Sequence, residues 1–311
     1  MPDYYGKSHI YRSIGRLLQK KVALVCICLI VLIYTFGVLA PFVSSYEYNE
    51  QDYTSIREAP SLRHIAGTDL KGRDVFTRVL WGIQNTVIIT FITMATGGLL
   101  VGVSLGLLAG YFGGRIDAFI MRIGEVFASF PDILLVILLA ATLRTRIIKS
   151  IYWIEDHTFI EGIVKSGAAD YLVISLALIS FSWIGMARLV RGQVLFLKEN
   201  QYIDSAKATG ASTLRILFVH LLPNALGPIL VTVSMGMGSL IGTEIILSWL
   251  GLGIQPPRPS LGNMLLEAGS ISALRVVPWM LIAPGIVAWA LVLSWNLLGD
   301  SLNDIFNPKT K

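Results

Sequence analysis

The 311-residue chain has few charged residues and almost no cysteine. Asp, Glu, Lys and Arg together make up 14% of the chain, against about 25% in an average soluble domain. This composition argues against a soluble enzyme, because a soluble fold needs a charged surface. The only two cysteines, Cys26 and Cys28, exclude a disulfide-bonded scaffold and a cysteine-rich metal module.

Motifs of several enzyme classes are missing as well. The chain contains no G-x-x-x-x-G-K-[ST] phosphate loop, no H-E-x-x-H zinc motif and no G-x-S-x-G nucleophile motif. His157 and Glu161 have the i,i+4 spacing of a metal-binding pair, but the acidic neighbours Glu155 and Asp156 favour a solvated loop. We therefore predict no catalytic residue, no metal site and no cofactor bound by this chain.

Long hydrophobic runs are what the chain does have. Hydrophobic residues make up 54% of it, and the mean hydropathy is +0.67. Five stretches without any charge are long enough for the roughly 20 apolar residues of a membrane-spanning helix. A sixth, less clean stretch contains three charged residues. The sequence predicts an all-α integral membrane protein with six transmembrane helices, at 22–43, 87–110, 119–143, 171–190, 222–247 and 278–298.

The distribution of basic residues predicts the orientation in the membrane. The net charge is +5, and the Lys and Arg residues lie at the ends of the apolar runs rather than in one basic patch. This distribution is typical of membrane proteins that follow the positive-inside rule and does not favour nucleic-acid binding. Five basic residues against one acidic residue place the tail of residues 1–21 in the cytoplasm. Six spans then return the 301–311 tail to the cytoplasm. Residues 44–86 form an extracytoplasmic loop, 87–300 a five-helix core, and 144–170 a second outside loop.

Small residues recur regularly in the second span. Gly98, Gly102, Gly106 and Gly110 are four residues apart, and Gly114 continues the pattern. On a helix this spacing makes a groove without side chains, where another helix can approach closely. We predict that the second span packs tightly in a helix bundle at this groove.

Two acidic residues within the spans are candidates for a translocation path. Asp132 follows Pro131, which interrupts the third span, and broken helices in membranes often line cavities. Glu244 lies in the fifth span, where an acid is costly and suggests a function. The alternatives are a kinked helix near the cytoplasmic surface for Asp132 and a structural partner for a neighbouring subunit's donor for Glu244.

The segment 199–224, between the fourth and fifth spans, is predicted to form a short helix, a turn and the start of the next helix. A short helix fits from about Gln201 to Thr209, and Gly210 suits the left-handed position that ends it. Ser212 is a candidate N-cap for the helix that enters the fifth span. On these signals alone the segment could be a plain surface turn.

The same segment resembles the EAA loop of ATP-binding-cassette importer permeases. Asp204, Ser205 and Ala206 stand at the E-A-A positions, Gly210 at the glycine, and Pro223 closes the motif. Asp204 and Ser205 depart from the Glu and Ala of the pattern, and His220 replaces an Ile. The runs GTDLKGRDV at 67–75, LSWLGLGIQPP at 247–257 and NLLGD at 296–300 resemble signatures of the dipeptide, oligopeptide and nickel branch, nearest to its second, C-type permease.

The resemblance implies a type I importer permease in a prokaryotic plasma membrane, which is not itself an enzyme. It implies three kinds of protein partner besides lipid: a homologous permease, two ATPase subunits that use ATP, and an extracytoplasmic binding protein that delivers a solute. Di- or oligopeptides are the first choice of solute, and nickel, glutathione or another small solute stay open. The residues implied in ATPase coupling are Tyr202, Asp204, Ser205, Ala206, Gly210 and Pro223. A carrier driven by ions and acting alone is the main rival, and no catalytic cluster supports a membrane-embedded enzyme.

Overall fold

The computed structural model of the chain describes residues 15–158, 162 and 167–306. Within these ranges every regular element is a helix, apart from one isolated antiparallel bridge between Thr68 and Asp74. Residues 15–19 are helical. The helices that follow are α1 (Lys21–Val38), α2 (Ala40–Val43), α3 (Val75–Phe112), α4 (Gly114–Ala128), α5 (Asp132–His157), α6 (Ala168–Leu197), α7 (Gln201–Ala208), α8 (Thr213–Trp249), α9 (Leu261–Ala268), α10 (Ile271–Val276) and α11 (Trp279–Phe306).

Five of these helices are long and apolar enough to cross a membrane: α1, α3, α6, α8 and α11. The pair α4 and α5 passes the same test only when taken together, and its two axes are bent by 88°. The described chain therefore has five or six spans. α7 lies at one end of the bundle, where α6 ends and α8 begins, and α9 and α10 lie at the opposite end.

The terminal helices α1 and α11 pack against each other. The Trp295 indole N–H donates to the Tyr34 hydroxyl at 2.8 Å, and Lys20 pairs with Asp304 at 2.9 Å at the α7 end of the bundle. Ala23, Cys26 and Ile30 form the buried contact on α1. Because α1 is attached along much of its length, it belongs to the bundle. Of the tail predicted at 1–21, residues 1–14 lie outside the described residues. Of the tail predicted at 301–311, residues 301–306 are the last residues of α11 and 307–311 lie outside the described residues.

The helices α3 and α8 begin several residues before the spans predicted from the apolar runs, because capping residues lie ahead of those runs. α3 begins at Val75 because the Asp74 carboxylate accepts the Thr77 backbone N–H at 2.7 Å. Residues 75–86, predicted as part of an extracytoplasmic loop, are therefore helical. α8 likewise begins at Thr213, where Ser212 is the N-cap as predicted, and runs without a break into the fifth span.

The glycine groove on α3 packs against α6. A β-carbon added at Gly102, Gly106 or Gly110 would lie 2.6–2.8 Å from the β-carbon of Met186, Val190 or Val194, respectively. Gly98 lies off this contact, since an added β-carbon there would meet only the Met94 side chain of its own helix. Gly97 takes its place, against Ile179 and Ser182. The reason is a π-helical stretch over Met94–Val103, which widens the step between contacting glycines from four residues to five.

The third predicted span, 119–143, is two helices rather than one. The break lies at 129–131, because Pro131 has no backbone N–H and disfavours helix in the residue before it. α5 then continues to His157, so 144–157 is helix and not the outside loop predicted there. Arg144 lies within this helix and pairs with Asp170 of α6 at 2.5 Å. Glu161, the second half of the considered metal pair, lies outside the described residues.

Candidate functional site

The short helix α7 ends in a left-handed glycine, as the sequence predicts. Gly210 has φ +79°, and its N–H donates to the Lys207 carbonyl at 3.0 Å. The next N–H, of Ala211, donates to the Ala206 carbonyl, also at 3.0 Å. These two bonds are the paired closing bonds of a Schellman motif, which only a residue at positive φ completes without strain. The chain therefore reverses within one residue before it enters α8.

A single buried side chain attaches α7 to the bundle. Ile203 is fully buried and packs in a cluster with Val194 of α6 and with Ile216, Leu217 and Leu221 of α8. The other residues of α7 are exposed or partly exposed. The helix thus lies on the end of α6 and α8 and turns most of its surface outward. The sequence analysis missed Ile203, although it is the only isoleucine, leucine or valine of α7.

The residues implied in coupling lie on this outward surface. Tyr202 is 41% exposed, and the Asp204 side chain is 69% exposed and paired with Lys207 at 3.2 Å. The Ser205 hydroxyl donates to the Gln201 carbonyl, and Ala206 is partly buried. Pro223 is exposed farther along α8, just after a π-helical stretch over Ile216–Leu221. Nearby apolar side chains at the start of α8, Leu214 and Phe218, are also more than half exposed.

Glu244 is enclosed by its own chain. Its side chain is fully buried, with one carboxylate oxygen accepting the Thr86 hydroxyl of α3 and the other the Ser248 hydroxyl of α8, both at 2.8 Å. This arrangement ties α3 to α8 inside the subunit. The carboxylate has no exposed surface in this chain from which to contact a solute.

Asp132 lies instead on the exposed surface at the break between α4 and α5. Its carboxylate accepts the Ile133 backbone N–H at 2.8 Å, at the N-terminal end of α5, where negative charge is favoured. Arg122 and Glu125, three residues apart on α4, pair at 3.3 Å as their spacing predicts. Asp132 is thus exposed to the surroundings of the subunit, whereas Glu244 is fully buried within it.

A buried charge network occupies the end of the bundle opposite α7. Asp69 accepts from Arg73 at 2.6 Å and from Arg78 at 2.7 Å, and both arginines also donate to Glu267 of α9 at 2.9 and 2.8 Å. Burial opposes ionisation of Glu267, but the two guanidinium groups outweigh it and lower the pKa of its carboxyl. The network joins the GTDLKGRDV segment to α9. The sequence reading quoted that segment but assigned no role to its charges.

Comparison with known proteins decides the family. A model of the binding-protein-dependent transport system inner membrane component matches residues 102–311, and a model of the N-terminal transmembrane domain of oligopeptide transport permease C matches residues 11–60. The chain belongs to this permease family. It is a multi-pass membrane protein of the kind found in bacterial plasma membranes, and the all-helical fold with a membrane-spanning bundle agrees with the resemblance noted in the sequence.

Several permease proteins are similar to this chain over nearly its whole length. The chain is 34% identical to the dipeptide transport system permease protein DppC of Alkalihalophilus pseudofirmus, over 99% of this chain and 93% of that protein. It is 36% identical to the oligopeptide permease OppC of Bacillus subtilis, over 95% and 88%. It is 38% identical to the glutathione permease GsiD of Pectobacterium atrosepticum, over 95% and 90%. All three are permease subunits of transport systems.

Proposed function

We propose that this permease subunit forms half of the translocation path of an ATP-driven, binding-protein-dependent importer of di- or oligopeptides. The observation that carries the coupling role is the geometry of α7: an outward-facing helix attached at Ile203 and closed by Gly210. A helix attached at one buried side chain, with its remaining surface free, suits a docking element for another protein. The charged and aromatic side chains Tyr202 and Asp204 are available for that contact.

The partners follow from what the subunit needs. A homologous permease completes the path, two ATPase subunits dock on α7 and its counterpart, and an extracytoplasmic binding protein delivers the solute on the opposite side. This chain binds no cofactor, and ATP is used by the ATPase subunits. It contacts lipid and no nucleic acid. Peptides are the preferred solute because relatives with dipeptide, oligopeptide and glutathione names span nearly the whole chain.

Reconstitution tests this function and separates it from a carrier that acts alone. Proteoliposomes containing both permeases and both ATPases, supplied with the binding protein, are expected to take up a labelled dipeptide only when ATP is present on the ATPase side. Omission of the ATPases is expected to abolish uptake. Uptake that persists without them, driven by an ion gradient, would contradict the proposal and favour the carrier.

A further inference from the structure

At the end of the bundle opposite α7, Arg258 is a cation with no acidic partner among the described residues. It lies in the proline-rich stretch 255–260, between α8 and α9, and is partly exposed. Within the described part of the chain no carboxylate lies within 4.0 Å of its guanidinium group, whereas Arg144, Arg73 and Arg78 are all paired. Its one side-chain contact is long, at 3.5 Å from Nη1 to the Tyr171 hydroxyl. Most of its donors therefore have no acceptor among the residues that the structure describes.

The backbone around Arg258 is held on both sides. The Gln255 N–H donates to the Asp170 carboxylate at 3.1 Å, and the Asn85 side chain donates to the Pro259 carbonyl at 2.6 Å. The Arg258 side chain lies against Gly167, where an added β-carbon would come within 2.6 Å of Nε. α3 and α6 thus hold the backbone on both sides of Arg258, and its side chain lies against Gly167. Such positioning reduces the entropy that a ligand must overcome.

A group of aromatic side chains is connected to Arg258 through Tyr171. The Trp81 indole N–H is buried and has no hydrogen-bond partner within residues 15–158 and 167–306, which is unusual for a buried polar group. Trp81 lies one helical turn from Asn85 on α3, and its ring packs 5.0 Å from that of Tyr48. The Tyr171 hydroxyl, which donates to the Asn85 carboxamide oxygen, connects this group to Arg258. All four side chains, Tyr48, Trp81, Tyr171 and Arg258, are partly exposed.

We infer that Arg258, held beside the Tyr171 hydroxyl, forms a carboxylate-binding site, and that its ligand is the terminal carboxylate of the transported peptide. A guanidinium group presents paired donors that match the two oxygens of a carboxylate. A partly buried site suits the end of an extended chain. This inference rests on the proposed function, because it assumes that a peptide is the solute.

The test compares a peptide with its amide. Uptake of trialanine and of trialaninamide is measured in the complete proteoliposome system, with each peptide's occupancy of the binding protein measured separately and matched. Arg258→Gln is expected to lower trialanine uptake about tenfold, since a lost charge-assisted bond is of that order, and to leave trialaninamide uptake unchanged. Arg258→Lys is expected to retain part of the preference. The control Arg275→Gln, at an exposed position in the last turn of α10, is expected to change neither.

The outcomes separate the possible failures. Equal loss of both peptides in Arg258→Gln, at matched protein level, would overturn the site and assign Arg258 to the fold or to an acidic side chain of the binding protein. No change with either peptide would also overturn it. If the wild-type complex transports neither peptide, the proposed function fails as well. If the wild-type complex transports both peptides and Arg258→Gln affects both to the same extent, only the carboxylate site is contradicted.

Discussion

At the scale of single residues, the buried acid Glu244 is informative because its surroundings do not fit a solute site. Its two carboxylate oxygens each accept one hydroxyl, from Thr86 and from Ser248. A glutamine side chain has the same shape. Its amide oxygen can accept a hydrogen bond from one of these hydroxyls, and its N–H group can donate to the oxygen of the other. We therefore interpret Glu244 as a tie between α3 and α8.

We predict that Glu244→Gln keeps wild-type uptake and thermal stability, whereas Glu244→Ala lowers stability by about 1–3 kcal/mol because two buried hydroxyls lose their partner. The measurements are melting of the purified subunit pair in detergent and peptide uptake in proteoliposomes. A Glu244→Gln variant that folds normally but does not transport would contradict this interpretation and restore Glu244 to the translocation path.

Glu267 gives a pH-dependent prediction. Its pKa is held below the usual value of about 4.3, so its stabilising effect is complete above that pH and is lost as pH falls through the lower, folded-state pKa. Glu267→Gln is expected to lower stability by about 1–3 kcal/mol at pH 7 and by progressively less below pH 4. Melting curves at several pH values, with the exposed Glu47→Gln as control, measure this. A deficit that does not change with pH would show that the Arg78 and Arg73 contacts are not the cause.

At the scale of helices, Gly98 and Gly106 belong to the same sequence repeat but differ in their contacts, because only Gly106 lies in the groove of α3 that packs against α6. An added side chain at Gly106 would meet the Val190 β-carbon and the Ala187 backbone oxygen, at 2.6 and 2.7 Å, and backbone cannot move aside cheaply. At Gly98 it would meet only the flexible Met94 side chain. We predict that Gly106→Val costs about 1–3 kcal/mol and lowers the membrane level, and that Gly98→Val costs less than half as much. Equal losses in both variants would contradict the observed register of α3 on α6.

The helices also show which signals in the sequence are sufficient. Runs without charge located α1, α3, α6, α8 and α11 because apolar composition extends over whole spans. Their ends were misplaced because caps such as Asp74 lie beyond the apolar run. The turn from α7 to α8 was predicted closely, since Gly210 and Ser212 act on neighbouring backbone. Contacts such as Arg73 with Glu267, which are 194 positions apart, have no local signal in a single sequence.

At the scale of the whole molecule, the orientation in the membrane is a prediction that the bundle makes easy to test. Leu62 is fully exposed at the end opposite α7, and Ala208 is exposed on α7 itself. With Cys26 and Cys28 replaced, a single cysteine at Leu62 is expected to react with a membrane-impermeant reagent added outside intact cells. A cysteine at Ala208 is expected to react only after the membrane is opened. Labelling of Ala208→Cys from outside would invert the proposed topology and move α7 away from the ATPases.

The central claim is that α7 transmits ATPase action to the translocation path, and Gly210→Val tests it most directly. No neighbouring atom lies within 4 Å of an added β-carbon at Gly210, so the substitution acts through the left-handed backbone, at a cost of about 1–2 kcal/mol. The control Gly192→Val adds the same side chain to an exposed, helical position on α6, also without close neighbours.

The decisive measurement is ATP turnover stimulated by the loaded binding protein, in complexes matched for protein amount. For Gly210→Val the account predicts near-normal membrane levels, weakened binding of the ATPases and loss of stimulated turnover. Gly210→Ala is expected to be milder, and Gly192→Val to match the wild type. Wild-type stimulated turnover and uptake in Gly210→Val would contradict the account and reduce the segment 199–212 to a surface turn.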